Sequence, residues 1–79
     1  MKLDRSFTRG MTVSEASRKV VAGVAGMAHA LRLDIVIEGV ESADQAQLAG
    51  QLGIDYAQGY FFGRPEPLED ALARLASPT

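Results

Sequence analysis

The stretch Asp34-Ile35-Val36-Ile37-Glu38-Gly39-Val40-Glu41-Ser42 constrains this chain more than any other. Three successive β-branched residues, Ile35 to Ile37, suit a strand buried on both faces. The apolar run stops at Glu38, and Gly39 allows a turn that a β-carbon would hinder. Ser42, with Gln45 three residues on, forms a capping box that starts a helix. A carboxylate directly after a buried strand adds nothing to a core. It stands where parallel α/β folds keep their chemistry, at the carboxyl end of a strand. The plainer alternative is a solvated strand-end glutamate, since exposed carboxylates are common.

Around this stretch the pattern alternates. Residues 1–4 read as a very short strand and 5–12 as a loop punctuated by Gly10. Residues 13–32 read as a long helix with Thr12 as N-cap and Glu15 completing the box. Val20, Val24, Met27 and Leu31 form its apolar stripe, widened by Val21, Ala25 and Ala28. Gly23 and Gly26 lower its propensity and would let it lie close to a neighbour. His29, the single histidine, reads as a helix-end residue near Arg32 rather than a ligand, because no second His or Cys accompanies it. Strand 34–38 leads to helix 43–52, with Ala46, Leu48, Ala49 and Leu52 inward and Gly53 as a left-handed cap. Strand 54–58 runs into the loop Gly59-Tyr60-Phe61-Phe62-Gly63-Arg64-Pro65. The three aromatics there read as packing rather than guanine-stacking residues. Pro67 opens the last helix, 67–76. Strand, helix, strand, helix, strand, helix with short connections predicts a parallel sheet with right-handed crossovers.

With 79 residues the chain is sized for one small domain. A formal net charge of −2 without clustered basic residues offers no footprint for a DNA or RNA duplex. No apolar run approaches a membrane span of about 18 residues, and no secretory leader opens the sequence. Without cysteine, neither disulfides nor a thiolate metal site can form. These features agree with a cytoplasmic protein.

In a parallel sheet the strand ends share one rim. The first strand offers Lys2 and Asp4, the second Glu38 and Glu41, the third Gln58. Carboxylates hold Mg²⁺ or Mn²⁺ through oxygen, and a nearby lysine can orient or polarise a bound water. Such a set suits metal-assisted hydrolysis of a phosphodiester.

Lys2-Leu3-Asp4-Arg5-Ser6-Phe7, Ile37-Glu38-Gly39-Val40-Glu41 and Gln58-Gly59-Tyr60-Phe61-Phe62 with Arg64-Pro65 behind it resemble, in this order, the C-terminal part of the EAL domain. That family hydrolyses cyclic di-GMP to linear pGpG. The resemblance runs from Lys2 to about Leu75. It implies an α/β fold: the C-terminal three βα units of a TIM-type (β/α)8 barrel, incomplete in this chain. It implies that Lys2 contacts the attacking water, that Glu38 coordinates a metal ion, and that Gln58 and Asp4 lie near the substrate. Glu41 takes a supporting role, Asp55 none, and Arg64-Pro65 a structural role or one at the guanine end of the pocket. Ile37 stands where many members have alanine, a silent change in a buried strand.

The sequence departs from the family by what it lacks. The name-giving Glu-Ala-Leu, the metal-binding Asn and Glu, and the Asp-Asp pair before the lysine strand do not occur. Glu38 is then the one carried-over metal ligand, too few for a site of this kind. A barrel usually takes about 250 residues. The expectation is therefore a C-terminal piece of a cyclic di-GMP phosphodiesterase, inactive alone, using Mg²⁺ or Mn²⁺ only with the missing part of the barrel. Upstream sensor or synthase domains and an EAL homodimer are the expected partners. The parent chain could be membrane-attached. The alternatives are a non-catalytic EAL-derived module that binds nucleotide or protein, and a small interaction protein with a dimer interface at its open sheet edge.

Overall fold

The computed structural model describes residues 1–58 and 64–77. The elements are β1 (Lys2–Leu3), α1 (Arg5–Val13), α2 (Glu15–Ala30), β2 (Val36–Glu38), α3 (Ala43–Gln51), β3 (Tyr56–Gln58), β4 (Glu66–Pro67) and α4 (Leu68–Ala76). Sheet order is β1-β2-β3-β4. The first three strands are parallel, with Lys2 opposite Val36, and Glu38 opposite Gln58. β4 adds an antiparallel edge, Ala57 opposite Glu66. The aromatic reading of Tyr60–Phe62 falls outside the described residues.

Residues 5–12 are helix, not loop. Asp4 caps α1: its Oδ1 accepts the Ser6 N–H at 3.0 Å and the Ser6 hydroxyl at 2.5 Å. Thr8 and Met11 then face inward, one turn apart, and are fully buried. The cap and this burial outweigh the glycine at position 10, whose cost is about 1 kcal/mol. The chain turns at Ser14, which ends α1 and caps α2 by accepting the Ser17 N–H. The cap is therefore Ser14 and not Thr12, whose hydroxyl donates to the Arg9 carbonyl.

The inward face of α2 is also displaced from the sequence reading. Val21, Ala25 and Ala28 are buried, whereas Val20, Met27 and Leu31 are 53%, 63% and 69% exposed. Small side chains are what a close approach requires: a Cβ on Gly53 would lie 3.2 Å from Ala25 Cβ. Gly23 and Gly26, by contrast, face open space and bring no neighbour close. α2 ends on Arg32 in the left-handed region (φ 60°), where the Leu33 N–H returns to the Ala28 carbonyl and the Arg32 N–H to that of His29. α3 ends the same way on Gly53, which has the freedom for it.

Leu3, Ile37 and Ala57 form the sheet's buried face, joined by Met11, Val21, Ala25, Ala28, Ala46, Ala49, Leu68 and Ala71 in one core. The strands alternate, so Lys2, Val36, Glu38, Tyr56 and Gln58 take the other face, where none is fully buried. Strand 35–37 is therefore not covered on both sides. Helices pack on one face only, and Val36 on the other remains half-buried.

Candidate functional site

The parallel register builds the site. Lys2 and Val36 are paired, and Glu38 lies two residues beyond Val36, so Lys2 and Glu38 share the uncovered face. Lys2 Nζ stands 3.4 Å from Glu38 Oε1. Gln58 is directly opposite Glu38 on the next strand. A cation, a carboxylate and an amide thus share one face: Glu38 and Gln58 stand at the carboxyl ends of β2 and β3, and the long Lys2 side chain reaches Glu38 from the first residue of β1. Both charged groups are substantially exposed, so their attraction contributes little to stability, about 0–1 kcal/mol.

The backbone behind Glu38 is firmly held. Its carbonyl accepts the Thr8 hydroxyl at 2.5 Å, and the Gly39 N–H donates to the Gln58 carbonyl at 3.3 Å. Gly39 has φ +80°, a conformation that β-carbons oppose. The first turn of α1 lies against it, since a Cβ on Gly39 would fall 2.7 Å from Arg5 Cβ.

Asp4 follows β1 at the same rim, but its carboxylate is engaged in capping α1. The Ser6 hydroxyl and then the Ser6 N–H hold its pKa below the ordinary value. Glu41 lies exposed between β2 and α3, and its N–H donates to Gln45 Oε1 at 2.7 Å. The Gln45 side chain therefore reaches back one residue beyond the Ser42 cap, whose hydroxyl accepts the Gln45 N–H. Arg64 is exposed just before β4.

At the opposite end of the sheet His29 and Asp55 meet. Asp55 Oδ2 lies 2.7 Å from His29 Nε2 and accepts the Ile35 N–H at 2.9 Å. Burial pushes the Asp55 carboxyl up, but the His29 hydrogen bond, the Ile35 N–H and the imidazole charge together leave it below its ordinary value. Sequence reasoning assigned Asp55 no role. A carboxylate just before a strand and a histidine in the last helical turn were the available signals.

The donor set is of the class that a hard cation takes, carboxylate oxygen beside a lysine, yet the number falls short. Among the described residues no group of three or more His, Cys, Asp or Glu could enclose a metal ion. Glu38 would supply one oxygen ligand, and further ligands would come from outside these residues.

The EAL domain family model matches residues 1–65. The chain belongs to this family. Cyclic di-GMP phosphodiesterase RocR of Pseudomonas aeruginosa is 43% identical over 67 residues, covering 85% of this chain and 17% of RocR. Cyclic di-GMP phosphodiesterase PdeF of Escherichia coli K12 is 36% identical over 75 residues, covering 95% of this chain and 10% of PdeF. The solved PaMucR phosphodiesterase in complex with c-di-GMP superposes with a TM-score of 0.69 at 34% identity, over 90% of this chain and 29% of that one. The fold is thus that of an EAL domain, a TIM-barrel type, and the chain spans a minor part of each of these three relatives.

Proposed function

We propose that these residues form the C-terminal part of a cyclic di-GMP phosphodiesterase domain. The observation that carries the reading is the gathering of Lys2, Glu38 and Gln58 on the uncovered face of three parallel strands, with Lys2 Nζ reaching the Glu38 carboxylate at the tip of β2. Family membership and relatives named cyclic di-GMP phosphodiesterases support the substrate.

In the complete domain, water would attack one phosphorus, the bond to the 3′ oxygen would break, and that oxygen would take a proton. The product is linear pGpG with a free 3′ hydroxyl. Lys2 would hold Glu38 in orientation and offer its remaining N–H groups to the attacking water or a phosphate oxygen. Gln58 would orient the same water or phosphate through its amide. A bound Mg²⁺ or Mn²⁺ would supply charge neutralisation at the phosphate, with Glu38 as one of its ligands and the others contributed by the rest of the barrel. Asp4 and Glu41 would serve chiefly by building the loops beside the substrate.

The 79 residues alone should not turn over cyclic di-GMP, because most metal ligands lie elsewhere. We place the site in the cytoplasm, beside sensor or synthase domains on the same polypeptide and in an EAL homodimer. No helix among the described residues is long and apolar enough to cross a membrane. The test is to incubate the native protein carrying these residues with cyclic di-GMP and Mg²⁺ or Mn²⁺ and quantify pGpG. Binding without pGpG would favour a non-catalytic nucleotide-binding module.

A further inference from the structure

We infer that Thr8 is a positioning residue for Glu38, acting through the backbone. Thr8 is the buried polar residue of the described core, only 1% exposed. Valine would fill the same volume without the cost of burying a hydroxyl. The hydroxyl has a specific use: it donates at 2.5 Å to the Glu38 carbonyl, thirty residues away. A helical threonine commonly returns its hydroxyl to its own preceding turn. This one leaves α1 to hold a strand tip.

The neighbouring groups make the hold complete. The peptide between Glu38 and Gly39 is tied on both sides, its carbonyl to Thr8 and its N–H to the Gln58 carbonyl. Arg5 lies over Gly39 so closely that no β-carbon fits between them. The origin of the Glu38 side chain is therefore fixed by α1 on one side and β3 on the other. A reacting carboxylate must stay within about 0.5 Å of its working position, and packing plus hydrogen bonds to the supporting shell achieve this. In its consequence for catalysis the inference rests on the phosphodiesterase reading. The backbone clasp itself does not.

Two pairs of variants isolate the hydroxyl in the native protein: Thr8 against Thr8→Val, and Thr8→Ser against Thr8→Ala. The first readout is amide hydrogen exchange of a peptide spanning residues 36–40. It should quicken about tenfold in the Val and Ala variants and stay near wild type in Ser, as loss of one net hydrogen bond implies. The second is the Mn²⁺ concentration giving half-maximal pGpG release, which should rise about 10-fold without the hydroxyl and recover in Ser. A tenfold rise from unfolding alone would require about 90% unfolded protein, which circular dichroism of each variant would reveal. Unchanged exchange in both hydroxyl-free variants, or Ser behaving like Ala, would overturn the inference. If Thr8→Val does not fold, the Ser and Ala pair decides alone. If Glu38→Gln proves silent, the phosphodiesterase reading fails, while the exchange readout still judges the clasp.

Discussion

His29 and Asp55 join the end of α2 to the start of β3 through one carboxylate oxygen, which the Ile35 N–H also shares. This clasp lies at the amino ends of β2 and β3, the end opposite Glu38 and Gln58, where barrel residues serve stability rather than chemistry. Asp55→Ala should cost about 1–3 kcal/mol in urea unfolding, because it strips a charged acceptor from the backbone of a fully buried residue.

The same pair sets a pH dependence. The Asp55 carboxyl lies below its ordinary value when folded. Its contribution is complete above that value and fades as pH falls from there through the folded pKa. His29→Ala should weaken this acid sensitivity by removing the imidazole partner. Urea midpoints measured between pH 7 and pH 2.5 check it: the gap between wild type and variant should narrow toward the acid end.

Asp4 gives a second acid-side effect, with the same sign, through the N-terminus of α1. Asp4→Asn keeps a capping acceptor and should preserve α1, whereas Asp4→Ala should lower the melting temperature. Circular dichroism of the two variants separates the cap from any substrate contact. An Asn variant that stays fully helical yet loses turnover would assign Asp4 to the substrate.

Gly39→Ala should destabilise the fold by about 1–2 kcal/mol from the left-handed backbone alone. The added methyl also meets Arg5. Arg5→Gly in the same chain should recover the steric part but not the backbone part, so a double-mutant cycle in urea should show a favourable coupling.

Val20, Met27 and Leu31 leave an apolar stripe along the outer side of α2. Exposed stripes of this kind associate. The 79-residue chain should sediment with a concentration-dependent mass, and Met27→Glu with Leu31→Glu should return it to a monomer near 8.4 kDa.

These residues also mark what a sequence can reveal. Ile35–Ile37 followed by Glu38-Gly39 made the strand and its tip legible, because β-branched burial and an abrupt carboxylate leave little choice of structure. From parallel order the convergence of Lys2, Glu38 and Gln58 followed. α1 was hidden because Thr8, Gly10 and Thr12 give weak local propensity, and its reasons are tertiary: the Asp4 cap and the burial of Thr8 and Met11. On α2 two adjacent apolar stripes compete, and periodicity cannot choose between them. The choice fell to the face with the alanines: Ala25 and Ala28 join the core, and Ala25 is small enough to admit Gly53. The role of Thr8 left no local signal, since its partner lies thirty residues away, and that of Asp55 left only weak ones, its partner Ile35 lying twenty residues away.

The most direct test of the proposed function is Glu38→Gln in the native protein, assayed for pGpG from cyclic di-GMP with Mg²⁺ or Mn²⁺. The substitution preserves size and removes the charge that Lys2 faces and a cation would use. Turnover should fall at least about 100-fold, at the upper end of what disturbing a metal's surroundings costs, with the fold intact by circular dichroism. Wild-type turnover in that variant would contradict the role assigned to Glu38, and with it the reading of the three strand ends as a catalytic rim.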